Sequence, residues 1–152
     1  MRTDETSWPD LAGRLDGSGH VLPIRVYFED TDFSGAVYHA SYLRFLERGR
    51  SDFLRLIGVH HRPLAEEGLV FAVRHLAISF ERAARIDDVL EVRTGVADLG
   101  GARVVLRQAI QRDGDLVTSA EVTVALLSAD GRPKRFPATL RQLLSSRLDL
   151  SE

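Results

Sequence analysis

Only one stretch of this chain keeps a helical period over several turns, and four later stretches keep the period of strands. Between His39 and Ile57 the apolar residues Tyr42, Phe45, Leu46, Phe53 and Leu56 recur at three- and four-residue steps, while Arg44, Arg48 and Arg55 take another face. Gly49 falls on the apolar stripe. It costs about 1 kcal/mol of helix propensity relative to Ala there, so its expected benefit is close approach of the helix to a sheet. Gly58 supplies the stop.

Strands are predicted over roughly 69 to 81, 88 to 99, 102 to 113 and 116 to 128. Leu90, Val92, Val96, Val104, Leu106, Ile110, Val122, Val124 and Leu126 alternate with polar residues and define one buried face. Gly100-Gly101 and Asp113-Gly114 are hairpin signals, and the short links between consecutive strands imply antiparallel neighbours. Another strand is expected over Val21 to Phe28, and a short helix over Thr139 to Ser146 after Pro133 and Pro137. A single helix and a one-sided meander bury both apolar faces if the sheet curves around the helix in two layers, an α+β architecture. Residues 1–20 are polar and interrupted by Pro9, Gly13, Gly17 and Gly19, which predicts a flexible tail with Trp8 as its one docking residue. Residues 21–152 are then a single domain.

Composition removes several functions. A formal charge of −2 gives no general basis for neutralising phosphates, so a nucleic-acid face is not expected. The chain has no cysteine, which excludes disulfides, thiolate zinc sites and a cysteine nucleophile. With neither a signal-like N-terminus nor an apolar run of membrane-spanning length, the reading is cytoplasmic with no membrane span.

Chemistry concentrates between the first strand and the long helix. Glu29, Asp30 and Asp32 lie on a turn punctuated by Ser34 and Gly35, and His39 follows where the helix begins. Asp30-Thr-Asp32-Phe-Ser34-Gly35 imitates the start of a calcium loop, but its twelfth position is Ser41 where a bidentate Glu is required. No second histidine follows His39 at metal-ligand spacing, and His60-His61, about 30 Å along the helix, reads as a solvated turn. No metal and no cofactor are expected. The simplest structural role for Asp32 or Ser34 is to cap the helix. Against that stand two acids where one cap needs one, and Gly35-Ala36 leaving backbone accessible ahead of the first helix amides. The helix arginines, with Glu47 and Asp52, are expected to form a solvated face.

The segments Tyr27-Phe-Glu-Asp-Thr-Asp32, Val37-Tyr-His-Ala-Ser-Tyr42, Phe45-Leu-Glu-Arg-Gly-Arg50, Phe71-Ala-Val-Arg74 and Ala84-Arg-Ile-Asp-Asp-Val-Leu-Glu91 resemble the hotdog-fold acyl-CoA thioesterases of the 4-hydroxybenzoyl-CoA thioesterase family. The likeness is greatest to the Tol-Pal-associated, YbgC-like subgroup and spans roughly residues 24 to 137. It implies one helix wrapped by an antiparallel sheet, catalysis by Asp32 with His39 beside it, and substrate contacts at Gly35, Val37 and Tyr38. The His39 N–H is the expected donor to the carbonyl oxygen; Asp32 is either nucleophile or general base.

The resemblance further implies a homo-oligomer, dimer or tetramer, acting on acyl-CoA, with acyl carrier protein as an alternative acyl donor or partner. A non-catalytic acyl-CoA or carrier-protein sensor is the rival reading, since fold does not guarantee turnover. Phe28 stands where relatives often carry Tyr, and Gly49 where Ala is common. No run of basic residues marks a pocket for coenzyme A phosphates; Arg85 and Arg103, at strand ends, are the candidates.

Overall fold

The computed structural model describes residues 11–149. Six strands, β1 (Arg14–Asp16), β2 (Gly19–Arg25), β3 (Leu69–Phe80), β4 (Val89–Leu99), β5 (Arg103–Arg112) and β6 (Asp115–Ser128), form one sheet in the order β1-β2-β4-β5-β6-β3. Every neighbouring pair is antiparallel. The helices are α1 (His39–Leu56), α2 (His61–Glu66) and α3 (Ala138–Ser145). The α+β arrangement of one long helix against a curved antiparallel sheet is the one expected.

Strands β4, β5 and β6 form the predicted meander. Asp113 and Gly114 both take positive φ, 51° and 85°, as a two-residue turn matched to strand twist requires. On the inner face Val92 opposes Ile110, Leu106 opposes Val122 and Val104 opposes Val124, all buried. The expectation that consecutive strands are neighbours fails at β3. Tight turns force pairing, whereas the longer link 81–88 lets the chain cross the sheet, and β3 pairs with β6 at the far edge.

Helix α1 buries Tyr42, Phe45, Leu46, Phe53 and Leu54. Leu56, expected on the stripe, is exposed; the buried row runs through Phe53, Leu54 and Ile57 instead. Gly49 makes the close approach that its place on the stripe predicts: a Cβ there would lie 2.6 Å from Val92 Cγ1 and 3.2 Å from Thr94 Oγ1. Beside it Gln108 donates to the Leu46 carbonyl (3.0 Å) and Thr94 Oγ1 (2.9 Å) and accepts from Arg50 (3.2 Å). These bonds satisfy the polar groups that close contact buries.

The tail expectation needs correction in its second half. Residues 1–10, Trp8 among them, lie outside the described residues, but Arg14–Asp16 and Gly19–His20 are strand. His20 is buried, and its Nε2 meets Asp52 Oδ2 at 2.7 Å. Polar composition concealed this because the segment is held by sheet pairing and one buried imidazole–carboxylate contact rather than by apolar side chains. Asp52 therefore leaves the solvated face assigned to it, as does Arg50, whose guanidinium is half-buried with its pKa lowered by desolvation. His61 likewise opens α2 and does not sit in a plain turn.

Gly49→Ala is expected to lower stability by roughly 1 kcal/mol, because the clash with Val92 outweighs the gain in helix propensity. Urea unfolding in a Val92→Ala background should show the same change to be neutral or stabilising; an equal loss in both backgrounds would refute the contact argument.

Candidate active site

After β2, Val26 is fully buried and donates its N–H to the Asp88 carbonyl (2.8 Å), ending the strand with its backbone satisfied. A short 3-10 turn, Phe28–Asp30, follows. Asp30 is turned inward, 3% exposed, where one carboxylate oxygen accepts the Tyr27 N–H (2.8 Å) and the other lies 3.7 Å from Arg44 Nη2. It closes the turn. Glu29 is exposed.

Asp32 faces solvent. Its Oδ1 accepts the Ser34 hydroxyl (2.6 Å) and the Ser34 N–H (2.8 Å), and the Gly35 N–H returns to its carbonyl (3.0 Å). Gly35 holds φ 82°, the left-handed geometry that closes the loop with little strain only for glycine. Charge-stabilising bonds from the Ser34 side chain, then from its backbone, hold the Asp32 carboxyl below the ordinary aspartate value, partly opposed by desolvation; His39 lowers it further. The carboxylate is thus ionised over the whole neutral range.

The capping role open to Asp32 and Ser34 is taken by neither. Tyr38 is the residue before α1, and no side chain caps the helix. The Ser41 N–H already donates to the Tyr38 carbonyl (2.7 Å), so the terminus is presented by the N–H groups of His39 and Ala40, where the helix dipole places partial positive charge. The carboxylate and an uncapped helix terminus are thereby brought to one surface.

The loop is tied to the sheet from behind. Thr31 bridges Val37, Ala36 bridges Arg85, and Val37 donates to the Ala84 carbonyl (2.8 Å). The Ala84 N–H in turn donates to the buried Tyr42 hydroxyl (3.0 Å). The exposed His39 ring lies against Tyr38 (centroids 4.7 Å) and edge-on to Phe80 (6.3 Å), at the end of β3.

Of the predicted contact residues, Gly35 and Tyr38 are exposed at this surface. Val37 is buried in the core, and its N–H is already engaged. Sequence reasoning undervalued Arg85: its guanidinium lies 3.6 Å from where a Gly35 Cβ would be, so it supplies a cation beside the acidic turn. Phe80 was missed, since nothing in its strand context announces an encounter with His39.

A surface-held, ionised carboxylate next to unpaired helix amides can bind and polarise a carbonyl and direct an oxygen nucleophile to it. Ser34→Ala should raise the Asp32 pKa toward that of an ordinary aspartate. A folded pKa below the ordinary value keeps the carboxylate ionised to lower pH, so losing the Ser34 hydroxyl should shift any activity limb governed by Asp32 upward. An NMR titration of the Asp32 carboxyl carbon that is identical in both proteins would refute the assignment of the shift.

A profile of the thioesterase-like superfamily matches residues 26–144. The acyl-CoA thioesterase YbgC of Haemophilus influenzae is 40% identical over 126 residues, covering 82% of this chain and 93% of that protein. The crystal structure of a probable thioesterase from Bartonella henselae superposes with a TM-score of 0.76 at 46% identity, over 78% of this chain and 99% of that one. That of a 4-hydroxybenzoyl CoA thioesterase in complex with 4-hydroxybenzoyl CoA does so with 0.78 at 25% identity, over 84% and 99%.

Proposed function

This chain belongs to the thioesterase-like superfamily, and we propose that it hydrolyses acyl-CoA at the surface shared by Asp32 and the start of α1. The observation that carries this reading is the ionised Asp32, held by Ser34, beside a helix terminus that no side chain caps. The relatives named above support the substrate class.

In this reading the thioester carbonyl oxygen accepts the His39 N–H, which stabilises the negative charge that develops as the carbonyl carbon is attacked. Asp32 either takes a proton from an attacking water or attacks the carbon itself to form a mixed anhydride that water then opens. Both routes require the ionised carboxylate. The carbon–sulfur bond breaks, the electron pair leaves on sulfur, and the proton removed from water reaches the thiolate. Gly35 and Tyr38 flank the carbonyl. Val37 acts by fixing the backbone between them, because its side chain is buried.

Acyl carrier protein is a second acyl donor of the same chemistry. The working state is a homo-oligomer, supported by apolar surface that one copy leaves exposed: Phe28 and Phe33 on the acidic loop and Val70, Val73 and Phe80 along the edge strand β3. A second copy covering these residues would also enclose Asp32.

Asp32→Ala should fold and lose about 10²- to 10⁴-fold in kcat/KM, the range for removal of a positioned acid–base group, in a thiol-release assay across short, long and aryl acyl-CoAs. Hydrolysis by the variant at the wild-type rate would overturn the role of Asp32. Tight binding without thiol release by the wild type would make the protein a sensor.

A further inference from the structure

The link 81–88 passes behind the acidic loop with both ends tied: the Glu81 N–H donates to the Val117 carbonyl of β6 (2.8 Å) and the Asp87 N–H to the Val26 carbonyl (2.9 Å). Midway, Ala84 is fully buried, and among the described residues no backbone carbonyl accepts its N–H. The Tyr42 hydroxyl accepts it instead (3.0 Å), reaching out from the first turn of α1. A buried amide left unpaired costs more than a hydrogen bond contributes net, so this contact fixes Ala84 against the helix.

Ala84 passes the constraint on. Its carbonyl accepts the Val37 N–H (2.8 Å), Arg85 bridges Ala36, and the Ala36 carbonyl accepts the Asp32 N–H (3.1 Å). From Val37 the chain runs two residues to His39 and back into the helix that carries Tyr42. Chain and hydrogen bonds therefore close a loop from Tyr42 to Ala84 to Val37 to α1, with Asp32 fastened to its edge. Such closure leaves the carboxylate little freedom to shift against the first amides of α1.

The aromatic ring of Tyr42 has a separate role. It packs on Phe45 (centroids 6.1 Å) and on Phe80 (5.7 Å), and Phe80 in turn meets the His39 ring edge-on. Phenylalanine would fill that space equally well. The hydroxyl is the part that packing does not require, and the partner it takes is the link behind the acidic loop.

We propose that Tyr42 is a positioning residue for thioester hydrolysis, a proposal that rests on the thioesterase reading: through Ala84 and Val37 its hydroxyl sets the place of Asp32 relative to the His39 and Ala40 N–H groups. At 3% exposed, Tyr42 does not touch the substrate itself. Rate depends steeply on the orientation of reacting groups, so a small displacement of the loop lowers turnover without weakening substrate binding.

The test compares wild type, Tyr42→Phe and Val104→Ala. The last removes buried apolar volume between β5 and β6, remote from the loop, and serves as a core variant whose lost stability is measured by urea unfolding. In a thiol-release assay Tyr42→Phe should lower kcat by about ten- to a hundredfold with KM little changed. Val104→Ala should keep the wild-type kcat. The Asp32 carboxyl should titrate alike in wild type and Tyr42→Phe, because Ser34 holds it within the loop. By NMR, hydrogen exchange at the Ala84 amide should be roughly tenfold faster in Tyr42→Phe, the size of one neutral hydrogen bond. An unchanged kcat in Tyr42→Phe, or an equal loss in Val104→Ala, would overturn the positioning role. If wild type releases no thiol from any acyl-CoA, the thioesterase reading fails and exchange alone judges the contact: faster exchange at Ala84 in Tyr42→Phe supports it, and equal exchange overturns it.

Discussion

Everything at the acidic surface depends on how deeply α1 settles into the sheet, and Gly49 sets that depth. With Val92 and Thr94 occupying the space a side chain would need, the helix axis lies close to β4 and the buried face of α1 meets the strands directly. The approach buries backbone as well as side chains, and Gln108 meets the polar cost by bonding the Leu46 carbonyl. Fixing α1 at this depth fixes where its first turn emerges. That turn is the positive end of the site.

The loop that meets it divides labour between two aspartates separated by one residue. Asp30 spends its carboxylate on the Tyr27 N–H and on proximity to Arg44, so it stabilises the turn from inside. Asp32 spends one oxygen on Ser34 and keeps the other toward solvent. Burial, not proximity in sequence, separates the roles: an acid 3% exposed and fully engaged is structural, and an exposed one with a lowered pKa is available for chemistry.

Much of this was legible in the sequence because it is local. The extent of α1, the Asp113-Gly114 turn, the alternating faces of β4 to β6 and the acidic turn each depend on residues a few positions apart. What the sequence hid is non-local. The place of β3 beside β6 depends on which edge is free once the hairpins have formed, and the 81–88 link carries no sign of it. The strand β1 and the His20–Asp52 contact hide in polar composition because a hydrogen-bonded imidazole can anchor a segment with little apolar area. Leu56 against Leu54 and Ile57 is decided by the drift of the buried row around a helix whose period is not an integer.

One physical constraint bears on the acidic surface. Hydrogen bonds to a developing oxyanion are worth most where water is excluded, yet one copy of this chain leaves Asp32, His39 and the neighbouring Phe33 in solvent. On the proposed reading, bound substrate and a surface covering the aromatic loop would supply that exclusion. A substrate that reacts at one end and is gripped at the other supplies it efficiently, because interactions remote from the carbonyl hold the reacting atoms in place without touching them.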